Sequence, residues 1–389
     1  MSRRAIFGAI ALSAIVVTAS GAAVVARVSA PAVTVQSNEP TQPGPDSVRV
    51  AMLLNTLRTG DQLICELVVD RLRNNWWDNR DDGVGRFADD RTAYDAVQDS
   101  LRGHITNTGA IELLMRATNE EDPCVRRAAA HLLGRSKVES SRLAKALQDP
   151  SPRVRAAVAL AIGVGNDEHG KAARSSLEQL LREGGANDAA MAAWALGEIE
   201  DSASAPALIR ALRSTHTPVR LAAVGALGSI ESEQARPEIE RLLRGDADVA
   251  VRAHAARALG DIGSVSSVRA LAQALRDPAP RVQYEAVEAI ENLHDLETAP
   301  AELVAATRSS DAKLQRLAAM ALAEIHDPQT LDALLALVTH ADRDVRLHIA
   351  EALGEIGSAK ASAGLMTLLK DADPEVRRAA AEALGEIRE

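Results

Sequence analysis

An acidic, tryptophan-containing segment at residues 76–90, WWDNRDDGVGRFADD, has oxygen ligands at a spacing that could bind calcium. A twelve-residue calcium loop takes oxygen ligands at positions 1, 3 and 5, glycine at 6 and glutamate at 12. The residues that fit are Asp78 at position 1, Asp82 at position 5 and Gly83 at position 6. Arg80 and Asp89 depart from the pattern at positions 3 and 12. We therefore interpret the segment as a solvated acidic loop with Trp76 or Trp77 folded onto neighbouring helices, and keep calcium binding as the alternative.

Other signatures of catalysis or metal binding are missing from the sequence. The nine histidines are scattered, and none is followed by glutamate. The HExxH zinc motif, the Walker phosphate loop, the GxSxG nucleophile motif and the GxGxxG dinucleotide motif do not occur. Because catalysis needs a nucleophile, a base and a stabilising group that converge, the pattern predicts a protein that is not an enzyme and needs no metal or cofactor.

Cys65 and Cys124 are the only two cysteines. They are far apart in the sequence, and Cys65 lies in an apolar helical stretch. Two buried free thiols are the favoured interpretation. A disulfide is the alternative, and it would require an oxidising compartment.

The elements that position these residues are predicted from a repeated sequence motif, which we call the phrase. It is clearest at residues 371–387, DADPEVRRAAAEALGEI. Asp373 is a good N-cap and Pro374 suits the first helical position. Apolar residues recur from Val376 at the spacing of one helix face. The residues of that face are Val376, Ala379, Ala380, Ala383, Leu384 and Ile387. The phrase therefore predicts an amphipathic helix.

The phrase recurs about every 31 residues, each time after a second amphipathic segment. The positions that align with Gly385 are Gly134, Gly163, Gly197, Gly228, Gly260, Glu291, Ala323 and Gly354. The positions that align with Val376, the repeat-valine slot, are Val125, Val154, Asp188, Val219, Val251, Val282, Leu314 and Val345. A fixed period built on two helices indicates a solenoid. Nine helix pairs are expected over residues 105–389.

The phrase resembles a HEAT repeat of the phycobilisome-lyase-like type. The resemblance implies an all-α, right-handed solenoid with a ladder of aspartates and arginines between repeats. Repeats of this type carry an aspartate six residues before an arginine, as in Asp149/Arg155, Asp246/Arg252 and Asp371/Arg377. The pairs that depart are Ser214/Arg220, Asp277/Gln283, Ser309/Gln315 and His340/Arg346. A ladder broken in the middle of the array is therefore expected.

The sequence before the repeats divides into three segments. Residues 1–30 carry Arg3 and Arg4 and then an uncharged run over residues 5–26, which predicts a signal peptide or an uncleaved signal anchor. Either keeps the arginines in the cytoplasm and predicts an extracytoplasmic protein, periplasmic or secreted, held by the membrane if the segment is not cleaved. Residues 31–46 are a proline-rich linker. Residues 47–104 are expected to form an atypical helical cap.

A net charge of −10 argues against nucleic acid as the partner. In two-helix solenoids the second helices line the concave surface, which favours a protein or peptide partner there. The candidate residues stand two or six positions after the repeat-valine slot: Leu160, Trp194, Leu221, Arg257, Tyr284 and Arg316. Trp194 is the candidate hot spot in a chain with few aromatic residues. The alternative for Trp194 is that it only packs over the next helix.

The favoured function is therefore an exported or membrane-anchored scaffold that binds a protein or peptide in its concave groove. The alternative is an accessory or sensory part of an envelope signalling or peptidase system. The resemblance adds two enzymes, a HEAT-type metal-dependent hydroxylase and a bilin-lyase-like enzyme. The hydroxylase holds iron with His-Glu pairs, which this chain lacks.

Overall fold

The computed structural model describes residues 45–60, 65, 69, 105–165 and 167–387. Before the repeats it contains α1 (Pro45–Thr59). The nine first helices are α2 (Thr108–Ala117), α4 (Ser140–Ala146), α6 (Asp167–Glu183), α8 (Ala205–Ala211), α10 (Arg236–Gly245), α12 (Val268–Ala274), α14 (Ala301–Ala306), α16 (Leu331–Ala336) and α18 (Ala359–Leu368). The nine second helices are α3 (Pro123–Gly134), α5 (Pro152–Gly165), α7 (Ala186–Glu198), α9 (Thr217–Ser229), α11 (Val249–Ile262), α13 (Pro280–Glu291), α15 (Ala312–Glu324), α17 (Arg343–Ile356) and α19 (Pro374–Glu386).

These elements confirm the predicted all-α solenoid. Within the described ranges the helices from α2 onward form nine consecutive pairs, with an isolated β-bridge between Ile105 and Ser136 and no strand. Each second helix packs against its own first helix and against the second helix of the next pair. The second helices thus form one continuous layer.

The second helices begin where the phrase predicts, and capping side chains stabilise several of these starts. An aspartate side chain accepts hydrogen bonds from the first backbone N–H groups in several of them, which satisfies donors that have no partner inside the helix. These N-caps are Asp122, Asp248, Asp311, Asp342 and Asp373. Two second helices, α11 and α17, are followed by the C-cap residues Gly263 and Gly357, which adopt positive φ values of 70° and 59°. Glycine takes that conformation without steric cost.

The core runs along the array between the two layers. A large aliphatic residue stands eight positions after each repeat-valine slot, and in eight repeats it is completely buried. These residues are Leu133, Ile162, Leu196, Leu227, Leu259, Ile290, Leu322 and Leu353. In the ninth repeat the equivalent Leu384 is only half-buried. The core therefore consists of similar layers, each shared with neighbours.

Glycine in the Gly385 slot brings neighbouring second helices into close contact. A Cβ atom built on Gly197 would lie 2.7 Å from the Cα of Ala226, and one built on Gly354 would lie 2.6 Å from the Cβ of Ala383. No side chain fits at that distance, so the glycines permit the packing. Glu291 and Ala323 occupy this slot in α13 and α15, and the α13–α15 and α15–α17 joints pack less closely than the others.

The N-terminal helix α1 covers the first repeat, against α2 and α3. It ends at Thr59, just before Gly60. Arg58 at its end pairs with Glu120 at 2.6 Å. Cys65 and Cys124 form a disulfide with a Cα–Cα distance of 5.7 Å. The favoured interpretation of two free thiols is therefore wrong, because Cys65 lies beside Cys124 at the start of α3.

Four predicted features lie wholly or mostly outside the described residues: the signal or anchor segment, nearly all of the linker, the acidic loop at residues 76–90, and the helical cap at residues 47–104 except for 47–60, 65 and 69. The boundaries of these segments stay predictions. Among the described residues, no helix is long and apolar enough to cross a membrane.

Candidate functional site

The six candidate residues lie on six consecutive second helices. Leu160, Trp194 and Arg257 stand six positions after the repeat-valine slots of α5, α7 and α11. Leu221, Tyr284 and Arg316 stand two positions after the slots of α9, α13 and α15. Because neighbouring second helices pack side by side, these residues form a row across the layer. We call this row the second-helix face.

Its N-terminal part is apolar. Leu160, Trp194 and Leu221 are half-buried and pack against the core. The indole of Trp194 lies directly over Gly163 of the preceding repeat: a Cβ on that glycine would be 2.6 Å from Cζ3 of the ring. Trp194 therefore packs against the preceding repeat and still keeps part of its surface accessible.

The other part of the face is polar, and each of its residues contacts the next repeat. Arg257 holds both carboxylate oxygens of Glu285 at 2.7 and 3.0 Å. Tyr284 donates a hydrogen bond of 2.7 Å to Asp311, the N-cap of α15, and the ammonium of Lys313 lies 4.3 Å from its ring centre. Arg316 lies 3.8 Å from Asp342, the N-cap of α17. These side chains have structural partners as well as exposed surface.

A ladder of half-buried ion pairs ties neighbouring repeats together. The guanidinium of Arg252 contacts both carboxylate oxygens of Asp277 in the next repeat, at 2.8 and 3.0 Å. Its third nitrogen donates to the backbone carbonyl of Asp246, six residues earlier. Burial alone would raise the pKa of Asp277, but hydrogen bonds from Arg252 and from the N–H of Ala279 hold that pKa below its usual value.

The same arrangement recurs for Arg220 with Asp246 and Arg346 with Asp371, and a similar one for Arg155, which contacts one oxygen of Asp188. The residue six positions before each of these arginines thus accepts a hydrogen bond through its backbone carbonyl. The carboxylate that pairs with the arginine belongs to the following repeat. Arg220 consequently keeps its ion pair although Ser214 replaces aspartate in its own repeat.

The predicted interruption in the middle of the array is present. Gln283 and Gln315 replace ladder arginines, and their amides donate only to the backbone carbonyls of Asp277 and Thr307. Further contacts cross the next joint, with His348 near Glu324 at 3.7 Å and His326 near Glu355 at 3.3 Å. Burial raises the pKa of Glu291, and repulsion from Glu324 acts in the same direction.

Two other concave features are small. A cavity of about 320 Å³ lies between the second and third repeats, lined by Leu147, Arg155, Gln179, Leu180 and Gly185 among others. A second, of about 370 Å³, lies along α1 beside Val48, Met52 and Leu113. In the described part of the chain, no group of three or more histidine, cysteine or acidic side chains is placed to hold a metal ion.

Solved structures of similar fold were found by comparison. They include an engineered protein with a TM-score of 0.49 and 23% identity, covering 88% of this chain and 99% of that one. The Escherichia coli protein YibA has a TM-score of 0.47 and 21% sequence identity, and the match covers 66% of this chain and 95% of that one. The CpcE–CpcF complex of phycocyanin lyase from Nostoc sp. PCC7120 has a TM-score of 0.38 and 24% sequence identity, and the match covers 59% of this chain and 94% of that one. No curated protein matched the sequence.

The model of HEAT repeats matches four overlapping stretches, residues 111–188, 174–248, 236–307 and 300–385. Together they span more than half of the chain and coincide with the nine helix pairs. The resemblance predicted from the repeated phrase is therefore confirmed, and the chain belongs to the HEAT-repeat family.

Proposed function

We propose that this protein is an exported HEAT-repeat scaffold that binds a protein or peptide segment along its second-helix face, and that it acts by binding rather than by catalysis. The observation that carries the proposal is the row of half-exposed side chains across consecutive second helices, apolar from Leu160 to Leu221 and polar from Arg257 to Arg316. Half-buried apolar anchors beside polar side chains are typical of protein-binding surfaces.

Extracytoplasmic location is supported by two separate observations. Arg3 and Arg4 precede an uncharged run, as in export signals. The disulfide between Cys65 and Cys124 joins the cap to the first repeat, and such bonds persist in oxidising compartments. A reporter enzyme that is active only after export, fused after Glu389, should be active. Activity only of a cytoplasmic reporter at the same position would contradict export.

The binding proposal is tested by a variant that removes apolar surface without disturbing the fold. Leu221 stands two positions after its repeat-valine slot, where Arg127, Arg316 and Arg378 stand in other repeats. Leu221→Arg should therefore fold normally. We expect its melting temperature to stay near that of the wild type while capture of the partner from the envelope fraction falls about tenfold or more.

The matched control is Val265→Arg. Val265 is 42% exposed and lies in a short 3-10 turn before α12, outside the second-helix face. It should leave capture unchanged. If Leu221→Arg and Val265→Arg retained equal capture, the second-helix face would not be the binding site. Identification of the captured protein then separates a general scaffold from an accessory part of a signalling or peptidase system.

A further inference from the structure

The second-helix face has a depression at Gly225. This glycine stands six positions after the repeat-valine slot of α9, where Trp194 stands in α7 and Arg257 in α11. A Cβ atom built on Gly225 would meet no described atom within 4 Å. Leu221 lies one helical turn earlier on α9 and, like Trp194, is half-buried. The depression therefore has apolar side chains beside it and suits one apolar side chain of a ligand.

Most second helices in the middle of the array end in carboxylates. Six consecutive second helices, α7, α9, α11, α13, α15 and α17, have no basic residue in the last turn. Five of them have an acidic residue at or next to the end: Glu198, Asp261, Glu291, Glu324 and Glu355. The C-terminal end of a helix carries a partial negative charge, which cations stabilise and carboxylates do not. The ends of the helices that carry the second-helix face therefore favour a basic ligand.

Three carboxylates in this part of the fold have no counter-ion. Asp261, Glu288 and Glu291 make no ion pair with any residue that the structure describes. Arg257 acts on Asp261 through its charge, but its guanidinium holds both oxygens of Glu285. Burial raises the pKa values of Asp261 and Glu291, and repulsion from other carboxylates acts in the same direction. Basic side chains of a ligand relieve such repulsion.

The separation of the second helices sets a spacing for the ligand. Packed helices lie about 8–10 Å apart. A chain in the polyproline II conformation rises about 3.1 Å per residue with three residues per turn, so every third side chain faces the same way after about 9 Å. One such turn spans one repeat. A segment that begins over Gly225 on α9 therefore presents its next three facing side chains to α11, α13 and α15. The carboxylates there include Asp261, Glu288, Glu291 and Glu324.

We propose that the segment bound by the second-helix face is an extended basic peptide of another protein, with one apolar side chain over Gly225 and lysine or arginine at every third residue beyond it. This partner chemistry rests on the proposed function, in which the same face binds a peptide segment. The apolar side chain contacts Trp194 and Leu221, and the basic side chains pair with the carboxylates of α11, α13 and α15. The protein's own proline-rich segment, residues 31–46, contains no basic residue and does not supply these charges.

The test measures the binding of fluorescent peptides to the full chain by fluorescence anisotropy. The probe is Leu-Pro-Pro-Arg-Pro-Pro-Arg-Pro-Pro-Arg, used together with the peptide of reversed order because either chain direction fits. The control, Leu-Arg-Arg-Arg-Pro-Pro-Pro-Pro-Pro-Pro, has the same composition and charge without the spacing. We expect the better probe to bind at least about tenfold more tightly than the control. General attraction of a cationic peptide to a protein of net charge −10 gives equal affinities instead.

A pair of glycine variants locates the apolar contact. Gly225→Gln fills the depression and should lower the affinity for the probe at least about tenfold. It should fold normally, because a Cβ atom there meets no described atom within 4 Å. The matched control is Gly245→Gln at the end of α10, which also adds a side chain in open space but lies outside the second-helix face. Its affinity should equal that of the wild type.

A pair of charge variants locates the basic contacts. Glu288→Gln/Glu291→Gln should lower the affinity for the probe at least about threefold. The same variant should have a higher melting temperature than the wild type, because it removes repulsion between carboxylates. The control, Glu121→Gln/Glu297→Gln, changes the net charge equally at exposed positions outside the second-helix face. It should leave the affinity nearly unchanged.

Equal affinities of the probes and the spacing control would overturn the proposal, and so would an unchanged affinity of Gly225→Gln. Equal losses in the two charge variants, or no binding of either probe at about 1 mM, would also overturn it. If Leu221→Arg still abolished capture of the envelope partner, the second-helix face would remain the binding site for a segment of different chemistry. Failure of the basic-peptide proposal and failure of the proposed function are therefore distinguishable.

Discussion

Arg346 grips Asp371 with two nitrogens, at 2.7 and 2.9 Å, while its third nitrogen donates to the carbonyl of His340. One side chain thus connects the loop of its own repeat to the loop of the next. Only 14% of the arginine side chain and 9% of the aspartate side chain are exposed. Such a pair is strong because both oxygens and all three nitrogens of the guanidinium are used.

Acid should weaken this joint in a defined pH range. Hydrogen bonding to Arg346 lowers the pKa of Asp371. A carboxyl with a lowered folded-state pKa adds stability above its unfolded pKa of about 3.9 and loses it as the pH falls through the folded value. We expect the free energy of unfolding of the wild type to fall more steeply below about pH 4 than that of Asp371→Asn. Parallel slopes in urea titrations at pH 2.5 to 7 would contradict the assignment.

Core and ladder substitutions should differ in cost. Leu259 is fully buried, so Leu259→Ala should lower the free energy of unfolding by about 2–5 kcal/mol. Arg252→Ala should cost about 1–3 kcal/mol, because Asp277 loses a charged partner but keeps the N–H of Ala279. The carboxylate of Asp277 is only 10% exposed, so the ladder substitution is more costly than a surface ion pair would be. Urea unfolding measures the loss of stability in both variants. A larger loss for Arg252→Ala than for Leu259→Ala would contradict the assignment of Leu259 as the more important contact.

Trp194 should behave first as a packing residue. Its indole fills the space above Gly163, so Trp194→Ala should lower the melting temperature clearly. Gly163→Ala should be destabilising in the wild type, where the new Cβ meets the ring at 2.6 Å, and less so when Trp194 is already alanine. A double-mutant cycle measures this coupling. Independent effects would show that the two residues do not share one contact.

The disulfide should make stability depend on reductant. It closes a long loop between Cys65 and Cys124, and such bonds typically stabilise by about 2–4 kcal/mol. Reduction should lower the melting temperature of the wild type and leave the Cys65→Ser/Cys124→Ser double variant unchanged. Equal responses of both proteins would indicate that the bond does not stabilise the fold.

Local patterns in the sequence predicted most of the fold. Pro374 after Asp373 marks a helix start, and Leu353 falls at the apolar period of a helix, so both depend only on nearby residues. The pairing of Cys65 with Cys124 did not follow, because it depends on how two residues far apart in the sequence are placed in the fold. The partner of each ladder arginine could not be predicted either, because Asp371 comes close to Arg346 only when two repeats stack.

The candidate site was predicted less completely than the fold. The position of Trp194 on a second helix followed from the register, but its contact with Gly163 did not. That contact depends on the separation of two neighbouring helices, which the glycine itself sets. The structural partners of Arg257 and Tyr284 likewise belong to the next repeat, as Glu285 and Asp311.

The residues of α13 and α15 that depart from the repeat pattern should also affect how the array bends. Glu291 and Ala323 remove the close glycine contacts there, and Gln283 and Gln315 remove the charged rungs. We expect these two joints, which lack both features, to form a more compliant section between two stiffer stretches of the array. A ligand lying across the second-helix face would bend the protein at this section first, so each stretch could adjust to its own portion of the ligand without disturbing the packing of the other.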